Sequence, residues 1–181
     1  MQISVILIQI NKKYDFKRGI YMISQIIKKS IEYDESDPRR ICHFLKVHSF
    51  AKTIGEIEML EKNVQEVLEI SAILHDIGIH NCEQKYNSTA GNYQEIEGPI
   101  VALKILEEFD IPKEIIERVC YLIGHHHTYA SIDGFDYQIL VEADFLVNIY
   151  EDNMNENQIN SIKDRIFKTK TGINFLKRMY L

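Results

Sequence analysis

The sequence predicts an all-α fold, a single-domain helical bundle of about seven or eight helices, and three observations predict it. Apolar residues recur at helical spacing through most of the chain, and only the first few residues read as a strand. The runs are separated by helix punctuation: Asp37-Pro38, Asn63 with Glu66, Gly98-Pro99, Ile111-Pro112 and Asn155 with Gln158. The 181 residues, 45% hydrophobic and 27% charged, contain no repeat, low-complexity tract or linker, which suits one soluble domain large enough to bury a core without staples.

Composition also narrows the function. A formal net charge of −6 argues against a broad nucleic-acid surface or an anionic-membrane surface, while leaving room for a local basic patch that holds a phosphate. Cys42, Cys82 and Cys120 are odd in number and widely spaced. Neither a disulfide framework nor a zinc ribbon is indicated, and a reducing cytoplasm is the expected compartment.

In order along the chain, Met1 to Gln9 is apolar and rich in β-branched residues but too short to span a bilayer, and no basic residue precedes it as in a signal peptide. It sits oddly before a helical chain. We therefore treat residues 1–21 as an N-terminal extension of doubtful status, with translation starting at Met22 and residues 22–181 forming the helical domain. A native intact mass that includes Met1 would end that reading. From about Arg18 to Tyr33, Ile20, Ile23, Ile26, Ile27 and Ile31 mark a first amphipathic helix. Asp37-Pro38 opens a second, running to about Gly55 and carrying His43 and His48. Asn63 and Glu66 suggest a capping box for the third, which ends in Leu74-His-Asp-Ile-Gly78 with Gly78 placed to stop it. Residues 80–93 are polar and read as a long loop. Gly98-Pro99 opens a helix with Val101, Ile105, Leu106 and Phe109 inward, and Ile111-Pro112 opens the next, which ends in His125-His-His-Thr128. Asp136 is placed to cap a helix from Tyr137 to about Tyr150, and Asn155 with Gln158 begins a last long helix through Phe167.

Candidate site residues stand out against this scaffold. His75 and Asp76, adjacent at a helix end, can turn an imidazole nitrogen and a carboxylate oxygen toward one point, a pairing suited to a divalent metal such as manganese, iron, cobalt, nickel or zinc. The plainer alternative is a histidine on the helix dipole followed by a turn residue. His43 and His48 lie roughly 140° apart at ~100° per residue, so both do not reach one site, and helix geometry does not choose between them. Asp144 falls on the inward face with Ile139, Leu140, Ala143 and Val147, where a carboxylate is costly unless paired or coordinated. In the 80–93 stretch, Lys85, Asn87, Ser88 and Thr89 either line a phosphate pocket or are simply solvated. The histidine run at 125–127, at the end of an apolar helix as His75 is, suggests metal or anion chemistry.

Taken together, His43-Phe-Leu-Lys-Val47, His75-Asp76, the histidine run and Asp144 follow one another on separate helices in an order that resembles the HD-domain superfamily of metal-dependent phosphohydrolases. The resemblance covers most of the chain, from Arg40 through Asp144. It implies that His43, rather than His48, joins His75, Asp76 and Asp144 around one metal. It also implies that Asp76 is the catalytic residue, ligating the metal and orienting or deprotonating the attacking water. His125 and His126, with Arg40 or Lys85, would bind phosphate or a second metal. Many family members carry a histidine where this chain has Gln94, and glutamine is a poor ligand for transition metals, which weighs against a second site of the usual kind unless Glu95 or Glu97 substitutes. The cyclic-dinucleotide and alarmone subfamilies are not supported, because residues 132–136 lack the Gly-Tyr-Pro signature of the former and residues 77–79 lack the acidic pair of the latter. The implied substrate is a nucleotide or another small phosphorylated metabolite. Two other readings stand beside it: a metal- or nucleotide-binding sensor without turnover, and oxidative chemistry at a di-iron centre on the same fold.

Overall fold

The computed structural model describes residues 21–181. The strand expected at Met1 to Gln9, the first residues of the first helix and residues 1–20 of the 1–21 extension lie outside them. Among the described residues there are nine α-helices and one 3₁₀ turn, with no strand. They are α1 (described over 21–33), α2 (Pro38–Ile57), α3 (Lys62–Leu74), α4 (Ile79–Tyr86), α5 (Gly91–Leu106), α6 (Lys113–Ile123), the 3₁₀ turn Tyr129–Ser131, α7 (Phe135–Glu151), α8 (Glu156–Arg165) and α9 (Lys170–Tyr180).

Two helices are central because their sequences are apolar nearly all round. In α3 every residue from Val67 to Leu74 is buried, and α7 is buried from Asp136 to Asp144 without interruption. The two pack against each other, α2 packs on both, and α6 covers α3 with α5 and α4 layered outside it. Ile54, Leu68, Ile73, Leu122, Leu140 and Leu146 fill the middle. No helix among the described residues is long and apolar enough to cross a membrane.

Several local expectations are corrected. The Asp37 carboxylate does cap α2, accepting the Arg40 N–H at 3.1 Å. The Asn63 capping box is absent, and α3 starts at Lys62 after Glu61. The reason lies upstream: Met59 takes the left-handed conformation (φ 60) and Leu60 N–H donates to Gly55 O, so α2 ends tightly and the next helix begins two residues early. Residues 80–93 are not a long loop. They hold α4, whose polar sequence hides it because only Ile79 and Cys82 are buried, and Asn87 closes it in the left-handed region (φ 49). Helix α5 begins at Gly91, so Pro99 lies inside it rather than at its start. Gly134, not Asp136, precedes α7, and Asp136 pairs with Arg118 at 2.8 Å. The last long helix is two, because the buried Glu142 carboxylate accepts the Lys168 and Thr169 N–H groups at 2.6 and 2.9 Å and Thr169 then caps α9. A partner on another helix decides that break, and single-helix periodicity does not register it. These splits raise the count above the expected seven or eight.

Candidate metal centre

Helix α3 stops at Leu74. His75 closes it, and a tight turn follows in which Ile77 N–H donates to Leu74 O at 3.1 Å and Ile79 N–H donates to Asp76 O at 3.0 Å. The turn presses against α5 so closely that a Cβ on Gly78 would lie 2.5 Å from Gly98 N. Glycine is required there for proximity, since its φ is an ordinary −80°. The histidine run leaves α6 through Gly124 and is held by the Tyr137 hydroxyl, which donates to His125 O and, at 2.7 Å, to Thr128 O. The long buried helix α7 supplies Asp144.

These elements bring five side chains to one point. His43 Nε2 and His75 Nε2 are 3.2 Å apart. Asp144 Oδ1 lies 3.2 Å from the first and 3.5 Å from the second. Asp76 Oδ2 lies 3.6 and 3.5 Å from the same two nitrogens, and its Oδ1 is 3.4 Å from His126 Nε2. Two adjacent groups result, His43 with His75 and Asp144, and Asp76 with His126 and His127, each with ligand atoms within 4.8 Å of one another. Asp76 is the most open of the five, its side chain 25% exposed against 11% for Asp144 and 1% for His75.

The far nitrogens of the imidazoles decide what the centre can hold. His75 Nδ1 sits 3.0 Å from Ala72 O, and His126 Nδ1 sits 2.7 Å from Ile123 O. A carbonyl only accepts, so each Nδ1 carries the hydrogen. His43 Nδ1 faces Glu151 Oε2 at 3.0 Å, with the same consequence. Every Nε2 then offers a lone pair toward two carboxylates and toward the other histidines, and His126 Nε2 is buried without a hydrogen bond. A buried set of acceptors with no donor is stable only around a cation. The residues present therefore fit a divalent metal of intermediate softness, with His43, His75, Asp76 and Asp144 as its holders.

Protons fill the same need when no metal is bound. Burial pulls the His43 pKa down, but Asp144, Asp76 and Glu151 outweigh it and raise it to about 9. Burial opposes ionisation of Asp76 and Asp144, yet the facing imidazoles hold both carboxyls well below their usual range. Raised from 6.5 to about 9, the metal-free His43 contributes stability that is fully present below about pH 6.5 and is lost as pH rises through about 9. Metal binding at pH 7.5 must then expel that proton. Calorimetry in buffers of different ionisation enthalpy should show protons released on metal binding at pH 7.5, with the release falling as pH rises through about 9; release unchanged at pH 10 would contradict the assignment.

Of the expected site residues, Arg40 and Gln94 line the cleft above the centre and Lys85 does not. Lys85 is corrected to a structural partner, its Nζ 2.6 Å from Glu97 Oε2, with Tyr86 donating to the other oxygen of Glu97 at 2.9 Å. The register of the histidine run shifts by one. His125 turns away, stacked on Tyr121 with its Nδ1 on Tyr121 O at 2.7 Å, whereas His126 and His127 face Asp76. His127 lies flat against Gly91, where a Cβ would be 2.6 Å from its ring, and burial lowers its pKa to about 4. Gln94 donates to Thr89 O at 2.7 Å, which turns its Oε1 to the His127 Nε2–H at 3.2 Å. Glu95 and Glu97 are engaged elsewhere, Glu95 with His127 N–H and the Thr128 hydroxyl. His127 belongs to the run expected at the site, within which the sequence favours His125 and His126, whereas no sequence expectation falls on Glu151. Glu151 stands seven residues after Asp144, on the same helical stripe, and that spacing was the signal.

His48 faces the other way and pairs with the buried Glu69 at 3.1 Å. His48→Ala should cost about 1 kcal/mol, because Glu69 keeps Lys52 and Gln65, and should leave cobalt affinity unchanged. His43→Ala should abolish cobalt binding. Equal loss in both titrations would contradict this division.

The cleft holds about 470 Å³ and is lined by Asp37, Arg39, Arg40, His43, Asp76, Ile79, Thr89, Gln94, His127, Asp144, Asn148, Glu151 and Asp152. Among its cations, Arg40 is tied to Asp37, His80 and Glu83, whereas no ion pair among the described residues engages the exposed Arg39. The HD domain family matches residues 40–168 of this chain. No curated protein matches it. Among solved structures, the 1.45 Å crystal structure of a predicted HD superfamily hydrolase from an uncultured Thermotogales bacterium aligns with a TM-score of 0.60 at 22% identity, covering 89% of this chain and 84% of that one.

Proposed function

The chain belongs to the HD domain family, a family of metal-dependent hydrolases, and from that premise we propose that it is a phosphohydrolase acting on a phosphate ester or anhydride of a nucleotide or other small phosphorylated metabolite. The observation that carries the reading is the convergence of three Nε2 lone pairs with the Asp76 and Asp144 carboxylates at the floor of a cleft large enough for a small metabolite.

A divalent metal held by His43, His75, Asp76 and Asp144 would supply a lowered water pKa and neutralise charge on a phosphoryl oxygen. Phosphoryl transfer needs little covalent work from the protein, so positioning dominates. Asp76, ionised and the most open of the cluster, orients the attacking water and accepts its proton. His126 and His127 stand on the same side of Asp76; His127, neutral and turned by Gln94, offers a hydrogen-bonding group there. Arg39, exposed at the start of α2, holds phosphate oxygens at the mouth, beside Arg40, whose guanidinium is held by Asp37, His80 and Glu83. A reducing cytoplasm suits the three free cysteines.

The test is inorganic phosphate release from a panel of nucleoside mono-, di- and polyphosphates, using chelated protein reloaded separately with manganese, iron, cobalt, nickel or zinc. Release that needs the metal supports the proposal. Metal bound with silence across the panel would favour the non-catalytic sensor, the reading that Gln94 in place of a histidine keeps open. The di-iron alternative rests on no further observation.

A further inference from the structure

We propose that Glu151, braced by Lys46, is a positioning residue that fixes the tautomer and raises the donor strength of His43, an inference that rests on reading the cluster as a metal centre. Of the three histidines that aim Nε2 at the centre, His75 and His126 rest their Nδ1–H groups on the backbone carbonyls of Ala72 and Ile123. Only His43 rests on a carboxylate, Glu151 Oε2 at 3.0 Å. The two nitrogens of an imidazole point to opposite sides of the ring, so Glu151 lies behind His43, away from the centre. Its other oxygen, Oε1, accepts from Lys46 Nζ, three residues after His43 on α2. The carboxylate thus clamps α2 to α7 at the level of the cluster and forks between an imidazole and an ammonium.

Its position argues for a role beyond surface pairing. Glu151 is the last residue of α7, where the helix dipole disfavours a negative charge. Burial opposes its ionisation too, yet Lys46 and His43 hold its pKa below the usual range. An anionic acceptor behind a ligating histidine pulls harder on the Nδ1 proton than a carbonyl does, makes Nε2 a better donor and keeps the ring from rotating. The stripe that places Asp144 in the centre places Glu151 two turns later, so one helix face supplies both a ligand and the anchor of another.

The test titrates metal-free full-length protein with cobalt(II), reading the dissociation constant and the visible absorption spectrum, for wild type, Glu151→Ala, Glu151→Gln and Lys46→Met. The proposal predicts cobalt affinity weakened about 10–100-fold in Glu151→Ala, with altered band positions. Glu151→Gln, whose amide oxygen still accepts from Nδ1–H, should recover part of that loss, and Lys46→Met should weaken binding less than Glu151→Ala. Melting temperatures of the metal-free proteins track any purely structural contribution. Glu151→Ala binding cobalt within about twofold of wild type, while His43→Ala does not bind it, overturns the proposal alone. Undiminished binding in His43→Ala would sink the metal-centre reading itself.

Discussion

Asp76→Ala keeps its helical circular dichroism and loses phosphate release by about 10³-fold or more under the best metal, because one side chain is removed from two roles at once. Asp76 belongs to one ligand group and faces the other, its Oδ1 toward His126 and its Oδ2 toward His43 and His75. The turn that carries it is held by backbone hydrogen bonds on either side, Ile77 to Leu74 and Ile79 to Asp76, and these do not involve the side chain. The fold therefore survives the substitution. Asn at the same position preserves shape without the charge and should retain more metal than Ala while releasing little more phosphate. Activity of Asp76→Ala within tenfold of wild type would remove Asp76 from the chemistry.

Gly78→Ala should lower stability by about 3 kcal/mol, with a parallel loss of metal affinity. The new Cβ would stand 2.5 Å from Gly98 N and 2.8 Å from Gly98 Cα, and backbone atoms inside a helix cannot rotate away as a side chain would. Gly98 has little room to retreat, since the space over its own Cα is taken by Ile123 Cγ2. Relief must come from the turn itself, two residues from Asp76. Gly55→Ala gives the contrast: its Cβ meets the end of the Gln65 side chain, which can move, and the metal centre lies elsewhere. Urea unfolding of the two variants beside wild type, with cobalt titration of each, separates the cases. Equal stability for Gly78→Ala and wild type would mean that α4 and α5 can separate without harm.

Much of this architecture was legible in the sequence because helix periodicity and helix-opening signals are local. Asp37-Pro38, Asn155 with Gln158 and the inward stripe of α7 acted as their local chemistry dictates. The misses share a different cause. The break between α8 and α9 is set by Glu142 on α7, and the early start of α5 hides behind a proline that ordinarily marks a first turn. Helix α4 buries two residues, too few to show a period. At the candidate site, His75-Asp76 and Asp144 could be read from adjacency and from a carboxylate on an apolar face. Helix geometry could not choose between His43 and His48, because their partners, Glu151 and Glu69, come from different helices; the family resemblance alone pointed to His43. Likewise the register of the histidine run depends on Tyr137 and Gly91, which no spacing within the run reveals.

The most direct test of the central claim is an anomalous difference map from a crystal of cobalt-loaded protein. The account predicts a peak among His43 Nε2, His75 Nε2, Asp76 and Asp144, absent from crystals of Asp144→Ala treated alike. Cobalt bound elsewhere on the chain, with these four side chains left as they are, would contradict it.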